Sequence, residues 1–243
     1  AAVTFEEGTQ EEIMERALAI AASPDIQMYP NIFRLLIDPN RIPNFFDVLM
    51  HPTDGPHYWE RSAYPYYDRI KIPCYFASGW WAYAHMHLRG AFQNFLGIDA
   101  PKKLFIEPMV AVDAPMPEEF NVDAVRWFDH WLKGKDTGIM DEPPIRLWVM
   151  GDERWRFENE WPLARTEWRS YYLRRWNGLS TEPESTAERP DYFVQQPVDE
   201  TATIQPLHYT TRPLSQAMEI TGPIALYLYA SIDQMDTNWI VAM

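Results

Sequence analysis

One cysteine stands in a chain of 243 residues, so no disulfide can form within it. Glycine is scarce, at 10 residues, and no apolar run approaches the roughly 18 residues that a membrane-crossing helix needs, so no membrane partner is expected. Positive charge is short as well: 21 Lys and Arg stand against 35 Asp and Glu, for a net charge of −14. That deficit argues against nucleic acid as a partner, because phosphates need a basic face. No secretory leader opens the chain. Ala1-Ala2-Val3 leads into an acidic helical stretch, which points to the cytoplasm, and a start without Met reads as lying partway through a longer protein.

What is present is apolar and aromatic. Hydrophobic residues make up 47% of the chain and aromatics 15%, which excludes a disordered chain and supplies an ample core. The 11 Trp suit cores and flat binding clefts alike, since each buries much area at little conformational cost. Cys74, inside an apolar stretch, reads as a small buried hydrophobe rather than a nucleophile.

Residues 1–66 read as short helices punctuated by proline. Thr9 and Glu12 have capping-box spacing, and Ile13, Ala17 and Ile20, flanked by Met14 and Leu18, form a helical stripe that stops at Ser23-Pro24. Pro30 and Pro43 stand where proline starts helices well. Such short helices suit a cap better than a freestanding bundle.

Residues 67–140 change pattern. Strands are expected over 72–78 and 103–106, each running into a loop and then a helix. Leu88, Ala91, Phe92, Phe95 and Leu96 share one helical face, as do Val125, Phe128 and Leu132. Alternating strands and helices imply a parallel sheet that holds ligands at the carboxyl ends of its strands. From Pro143 the period is two: Ile145, Leu147 and Val149 alternate with Arg146, Trp148 and Met150, and Ile224, Leu226 and Leu228 alternate with Ala225, Tyr227 and Tyr229. This predicts antiparallel β over 141–243, part of a sandwich with too few strands to be complete, beyond a boundary near 136–144.

Several side chains are candidates for chemistry. Ser78 precedes Gly79 at an expected strand end, where a nucleophile is exposed; a hydroxyl bonded to nearby backbone is the competing reading. His85 and His87 form an H-x-H pair. On a strand both imidazoles would face one way and, with Asp99 or Asp113, suit zinc; on a helix start they point apart. The helical periodicity that follows favours the second reading, so no metal or other cofactor is assigned. Asp113 is an acid in the loop after the second strand, with a solvated carboxylate as its plainer reading. Glu118, Glu119, Asp123, Arg126, Asp129 and Lys133 read as the wet face of a helix with local ion pairs.

The segments Ala63-Tyr64-Pro65-Tyr66-Tyr67-Asp68-Arg69-Ile70, Gly79-Trp80-Trp81, Arg126-Trp127-Phe128-Asp129-His130-Trp131-Leu132-Lys133-Gly134, Trp161-Pro162, Tyr171-Tyr172-Leu173 and Ile220-Thr221-Gly222-Pro223 occur in this order. Together they resemble the CocE/NonD hydrolases, relatives of X-Pro dipeptidyl-peptidases and α-amino-acid ester hydrolases. The resemblance implies an α/β hydrolase in which residues 1–66 belong to a helical cap, 67–140 to the C-terminal part of the core sheet, and 141–243 to a jelly-roll-like β domain. It implies a serine hydrolase of small-molecule esters or amides that works through an acyl-enzyme. It places the triad acid at Ala82 and the histidine at Ala111, and the serine in sequence before the cap; no G-x-S-x-G occurs here. Alanine neither takes a proton nor orients an imidazole, so other side chains (Ser78, His85, His87, Asp113) are weak substitutes at best and the chain alone is expected to be inactive. By the same resemblance Trp80, Trp81 and Tyr83 line the cleft. A cut sheet and sandwich would expose edges, so homo-oligomers or association with missing segments are expected. The rival readings are a non-catalytic binding protein of the same fold and a metal-dependent hydrolase centred on His85 and His87.

Overall fold

The computed structural model of the chain describes residues 7–38, 41–82, 84–110, 117–183, 189–196, 206–234, 237 and 239–243. Internal packing divides the chain into two units, residues 1–66 with 191–207 and residues 67–190 with 208–243.

The first unit is helical: α1 (Gln10–Ala21), α2 (Pro24–Gln27), α3 (Pro30–Ile37), α4 (Pro43–Met50) and α5 (Pro56–Glu60). The capping box forms as the spacing predicts. The Glu12 amide donates to Thr9 Oγ1 at 3.3 Å, and the Thr9 amide donates to Glu12 Oε2 at 2.8 Å. Proline occupies the first turn of α3 and α4, where its missing N–H costs nothing. Ile13, Ala17 and Ala21 of α1 bury against Leu36 and Phe46, with Ile20, Phe33 and Leu49 packed around them.

The second unit is built on a four-stranded sheet, β1 (Cys74–Ala82), β2 (Lys102–Val110), β3 (Ile145–Val149) and β4 (Arg154–Glu158), in that spatial order. β1, β2 and β3 run parallel, and β4 folds back antiparallel on β3. Helix α6 (Ala84–Gly97) crosses between β1 and β2, and α7 (Glu118–Lys133) lies between β2 and β3. Residue alternation sorts the two faces. Leu104, Ile106, Ile145, Leu147 and Val149 meet Ala91 and Phe95 of α6, with Trp161 and Leu163 completing that core. On the opposite face, Tyr75 and Phe105 meet Phe120 of α7. A short hairpin of β5 (Tyr172–Arg174) and β6 (Gly178–Ser180) follows.

The structure departs from the expected pattern in several places. β1 and β2 run four residues beyond their expected ends, because a Gly-Trp-Trp or Glu-Pro sequence reads as loop only until a neighbouring strand pairs with it. β3 lies beyond residue 140 and carries the predicted alternation, yet it is the third strand of the parallel sheet before it is the first of the antiparallel hairpin. Among the described residues, 224–229 have no ladder partner, so their alternation gives no strand there. Leu96 is 54% exposed at the end of its helical face. In α7 the expected apolar face is turned outward: Val125, Phe128 and Leu132 are exposed, while Asp123 and Trp127 are buried. Cys74 is half-buried, and burial pushes its thiol pKa up.

Candidate functional site

The carboxyl ends of β1 and β2 are the place to look for chemistry, since a parallel sheet leaves its strand ends open between the helices that follow. The ladder sets their register. Ser78 stands opposite Ile106, Gly79 opposite Glu107, Trp81 opposite Met109 and Ala82 opposite Val110. Position 82 is thus the last residue of β1, paired with the last residue of β2. Both positions that the resemblance gives to the acid and the base are alanine, and the ladder ends with the first of them, Ala82, opposite Val110. Ala111 itself, with Asp113 and Tyr83, lies outside the described residues.

Ser78 could serve as a nucleophile only if exposed at a strand end, against the plainer reading of a hydroxyl bonded to nearby backbone. It lies instead inside β1, 6% exposed, with four strand residues after it. A sharp strand-to-helix turn is what exposes a nucleophile on such a sheet, and a mid-ladder serine lacks it. Trp80 points to the α6 face, packs beside Phe92 at 6.1 Å, and donates its indole N–H to the Trp148 carbonyl at 2.7 Å. It bolts β1 to β3. Trp81, on the other face, is 70% exposed and remains available to a ligand. His85 and His87 both fall in α6, with His87 exposed. A spacing of two on a helix turns side chains about 200° apart, and Asp99 lies beyond the far end of the same helix, whose stretch from His87 to Gly97 is about 15 Å long at 1.5 Å per residue. Among the described residues no group of three His, Cys, Asp or Glu side chains is placed to hold a metal.

The sequence reading missed Glu107. Its side chain shares the α7 face with Phe105 and is only 3% exposed; burial alone pushes its carboxyl pKa up. Its ladder partner Gly79 offers no side chain on that face. The Trp148 indole N–H, in β3, is buried with no acceptor among the described residues. An acid inside the apolar run Leu104-Phe105-Ile106-Glu107 was the available signal.

A second polar centre pins α7 to the sheet. Asp123, read from sequence as solvated, is 4% exposed. Its Oδ2 accepts from Arg146 Nη1 at 2.9 Å and from the Tyr75 hydroxyl at 3.3 Å, and its Oδ1 accepts from Arg126 Nη1 at 3.3 Å. Arg126 Nη2 continues to Glu142 Oε1 at 2.6 Å, and Lys103 Nζ approaches Glu142 Oε2 at 3.7 Å. Arg146 is sandwiched among Trp155, Phe157 and Phe105 at 5.0, 5.2 and 5.8 Å from the ring centroids. Burial and the adjacent Asp123 carboxylate push the Tyr75 phenol well above its ordinary range, and burial lowers the Lys103 ammonium. A cavity of about 330 Å³ opens here, lined by Glu118, Glu119, Val122, Asp123, Arg126 and Arg146. A larger, apolar one of about 460 Å³ is lined by Leu226, Leu228, Ala230, Ile232, Trp239 and Val241.

Comparison with known proteins bears on this arrangement. Residues 137–243 match the family described as the X-Pro dipeptidyl-peptidase C-terminal non-catalytic domain. A Mycobacterium bovis protein named as a serine esterase is 26% identical over 204 residues, covering 69% of this chain and 32% of the relative. The cocaine esterase of Rhodococcus sp. (strain MB1 Bresler) is 25% identical over 177 residues, covering 60% of this chain and 30% of its own. Over part of its length the chain resembles these esterases. A crystal structure of a CocE/NonD family hydrolase from Staphylococcus aureus superposes with a TM-score of 0.52 at 18% identity, over 66% of this chain and 30% of that one, which speaks for the fold alone. These findings support a hydrolase fold with a C-terminal β domain. The chain spans about a third of the length of the curated relatives it matches.

Proposed function

We propose that this chain is part of a CocE/NonD-type α/β-hydrolase, in which residues 1–66 form cap helices, 67–140 the end of the core sheet, and 141–243 the start of a jelly-roll-like domain. The parent enzyme hydrolyses a small-molecule ester or amide in the cytoplasm through an acyl-enzyme, with its serine on a segment other than those present here. Without that segment the chain is inactive. The observation that supports the reading is the register of β1 and β2, which ends with Ala82 opposite Val110 at the open end of a parallel sheet, where such a fold would hold its acid and base. Trp81, exposed at the same edge, is the aromatic wall available to the acyl group. Alanine at both positions favours a second reading, a non-catalytic binding protein that keeps the fold.

Intact mass after treatment with a fluorophosphonate, which labels activated serines covalently, tests the proposal. No adduct, and hydrolysis of an activated ester at the buffer rate, are expected of folded chain. A single adduct would refute it by placing the nucleophile within these residues. The binding-protein reading is separated by the coding sequence upstream: a complete serine elbow in the same reading frame would count against it.

A further inference from the structure

α7 turns its apolar stripe away from the protein. Val122, Val125, Phe128 and Leu132 are 49%, 62%, 57% and 77% exposed, while Asp123 and Trp127 face the sheet and are buried. At 3.6 residues per turn the four side chains fall within a band about 120° wide. Single exposed apolar residues need no explanation, but a contiguous band along three turns of one helix marks a contact surface.

The charges at the ends of this band decide what it fits. Glu118 lies on the band in the first turn, and among the described residues no cation pairs with it. At the other end Lys133 and Lys135 both hold Asp129, at 2.5 and 2.7 Å, so two ammonium groups share one carboxylate and leave a positive balance. A two-fold axis through Val125, perpendicular to the helix, lays Val125 on its own copy and Val122 on Phe128. It also brings Glu118 beside Lys133 at both ends and sets the two helix dipoles antiparallel. A parallel arrangement would stack acid on acid.

We propose that the outer face of α7 is a two-fold contact between two copies of this chain, with the helices packed antiparallel about Val125. The surface is small, so the dimer belongs to the weak, concentration-dependent class. It does not depend on the catalytic reading.

Sedimentation velocity of the full chain over a concentration series tests this. A monomer–dimer equilibrium is expected that weakens with salt. Val125→Glu should weaken it at least about tenfold, because a charge would be buried without a partner. Glu118→Lys should weaken it too, and Glu118→Lys with Lys133→Glu in one chain should restore it. In a Cys74→Ser background, Val125→Cys should form a disulfide-linked dimer on mild oxidation far faster than Leu96→Cys, an exposed position on α6. Positions 96, 118, 125 and 133 are exposed, and far-UV circular dichroism checks the folding of each variant. A chain that is monomeric throughout, a dimer indifferent to Val125→Glu, or equal cross-linking at positions 125 and 96 would overturn the proposal.

Discussion

Replacing Asp123 by alanine should be among the most damaging single changes in the second unit. The carboxylate is 5% exposed and meets Arg146 at 2.9 Å and Arg126 at 3.3 Å, with the Tyr75 hydroxyl also at 3.3 Å. Truncation strands the Arg146 guanidinium, 18% exposed, among three aromatic rings with its Nε already lacking an acceptor. Removing one partner of a buried ion pair costs about 3–5 kcal/mol, more than the pair itself contributes, because the remaining charge stays desolvated. For a unit of this size that is a drop of about 6–20 °C in Tm. Asp123→Asn keeps an acceptor for one arginine and loses only the charge, so it should cost about 1.5–3 kcal/mol. Asp123→Ala combined with Arg146→Met should recover much of the loss, since neither charge is then buried alone. Urea unfolding followed by tryptophan fluorescence reports on this region through Trp127 and Trp155. A cost below about 1 kcal/mol for Asp123→Ala, within the range of exposed pairs, would show that water reaches the pair and that the cluster does not pin α7. A double variant worse than the sum of its parts would also sink the reasoning.

Glu107 gives a prediction in pH. Its folded pKa is raised above the ordinary 4.5, so the folded state holds the proton more tightly than the unfolded one. The stabilisation is full below about 4.5 and is lost as pH rises through the folded value; Glu107→Gln should abolish that decline and raise the urea midpoint at neutral pH. Equal slopes for the two proteins would count against a desolvated carboxyl. Two glycines of α6 should respond oppositely to alanine. At Gly90 an added Cβ meets nothing within 4 Å, so Gly90→Ala should stabilise by about 0.5–1 kcal/mol through the helix backbone. At Gly97 the same atom would lie 2.1 Å from the Tyr67 ring, which is held by its hydroxyl on Asn94 Oδ1 at 2.5 Å, so Gly97→Ala should destabilise by about 1–3 kcal/mol. Thermal melts of both read the sign directly, and a stabilising Gly97→Ala would mean that the ring moves aside.

Local chemistry was legible in the sequence wherever it acts within one turn. Thr9 with Glu12, and Pro30 and Pro43 at helix starts, depend on neighbours three or four residues away. So does the placing of His85 and His87 on a helix. What failed was whatever is decided at long range. Asp123 looks solvated until Arg146 and Tyr75, 23 and 48 residues distant, arrive to pair with it. The outward stripe of α7 looks like a core face, because periodicity finds a face without saying which way it points. Residues 224–229 alternate as a strand should, yet a strand exists only when another pairs with it. At the candidate site the two alanines could be placed by resemblance, while Glu107 could not: nothing local distinguishes a buried acid at a strand end from one in a loop.

The position of β3 bears on how the chain can be taken apart. The region matching the β-domain family begins at residue 137, ahead of β3, yet β3 is hydrogen-bonded to β2 from Leu104–Ile145 to Ile106–Leu147. The inherited module and the folding module therefore do not share a border. A cassette cut at residue 137 would carry away a strand whose main-chain partners stay behind, leaving both pieces with raw edges. Grafting from residue 137 onto another hydrolase should succeed only when the recipient offers its own strand in the place of β2; a join that keeps this sheet whole belongs upstream of β1 rather than at the point where the sequence families change.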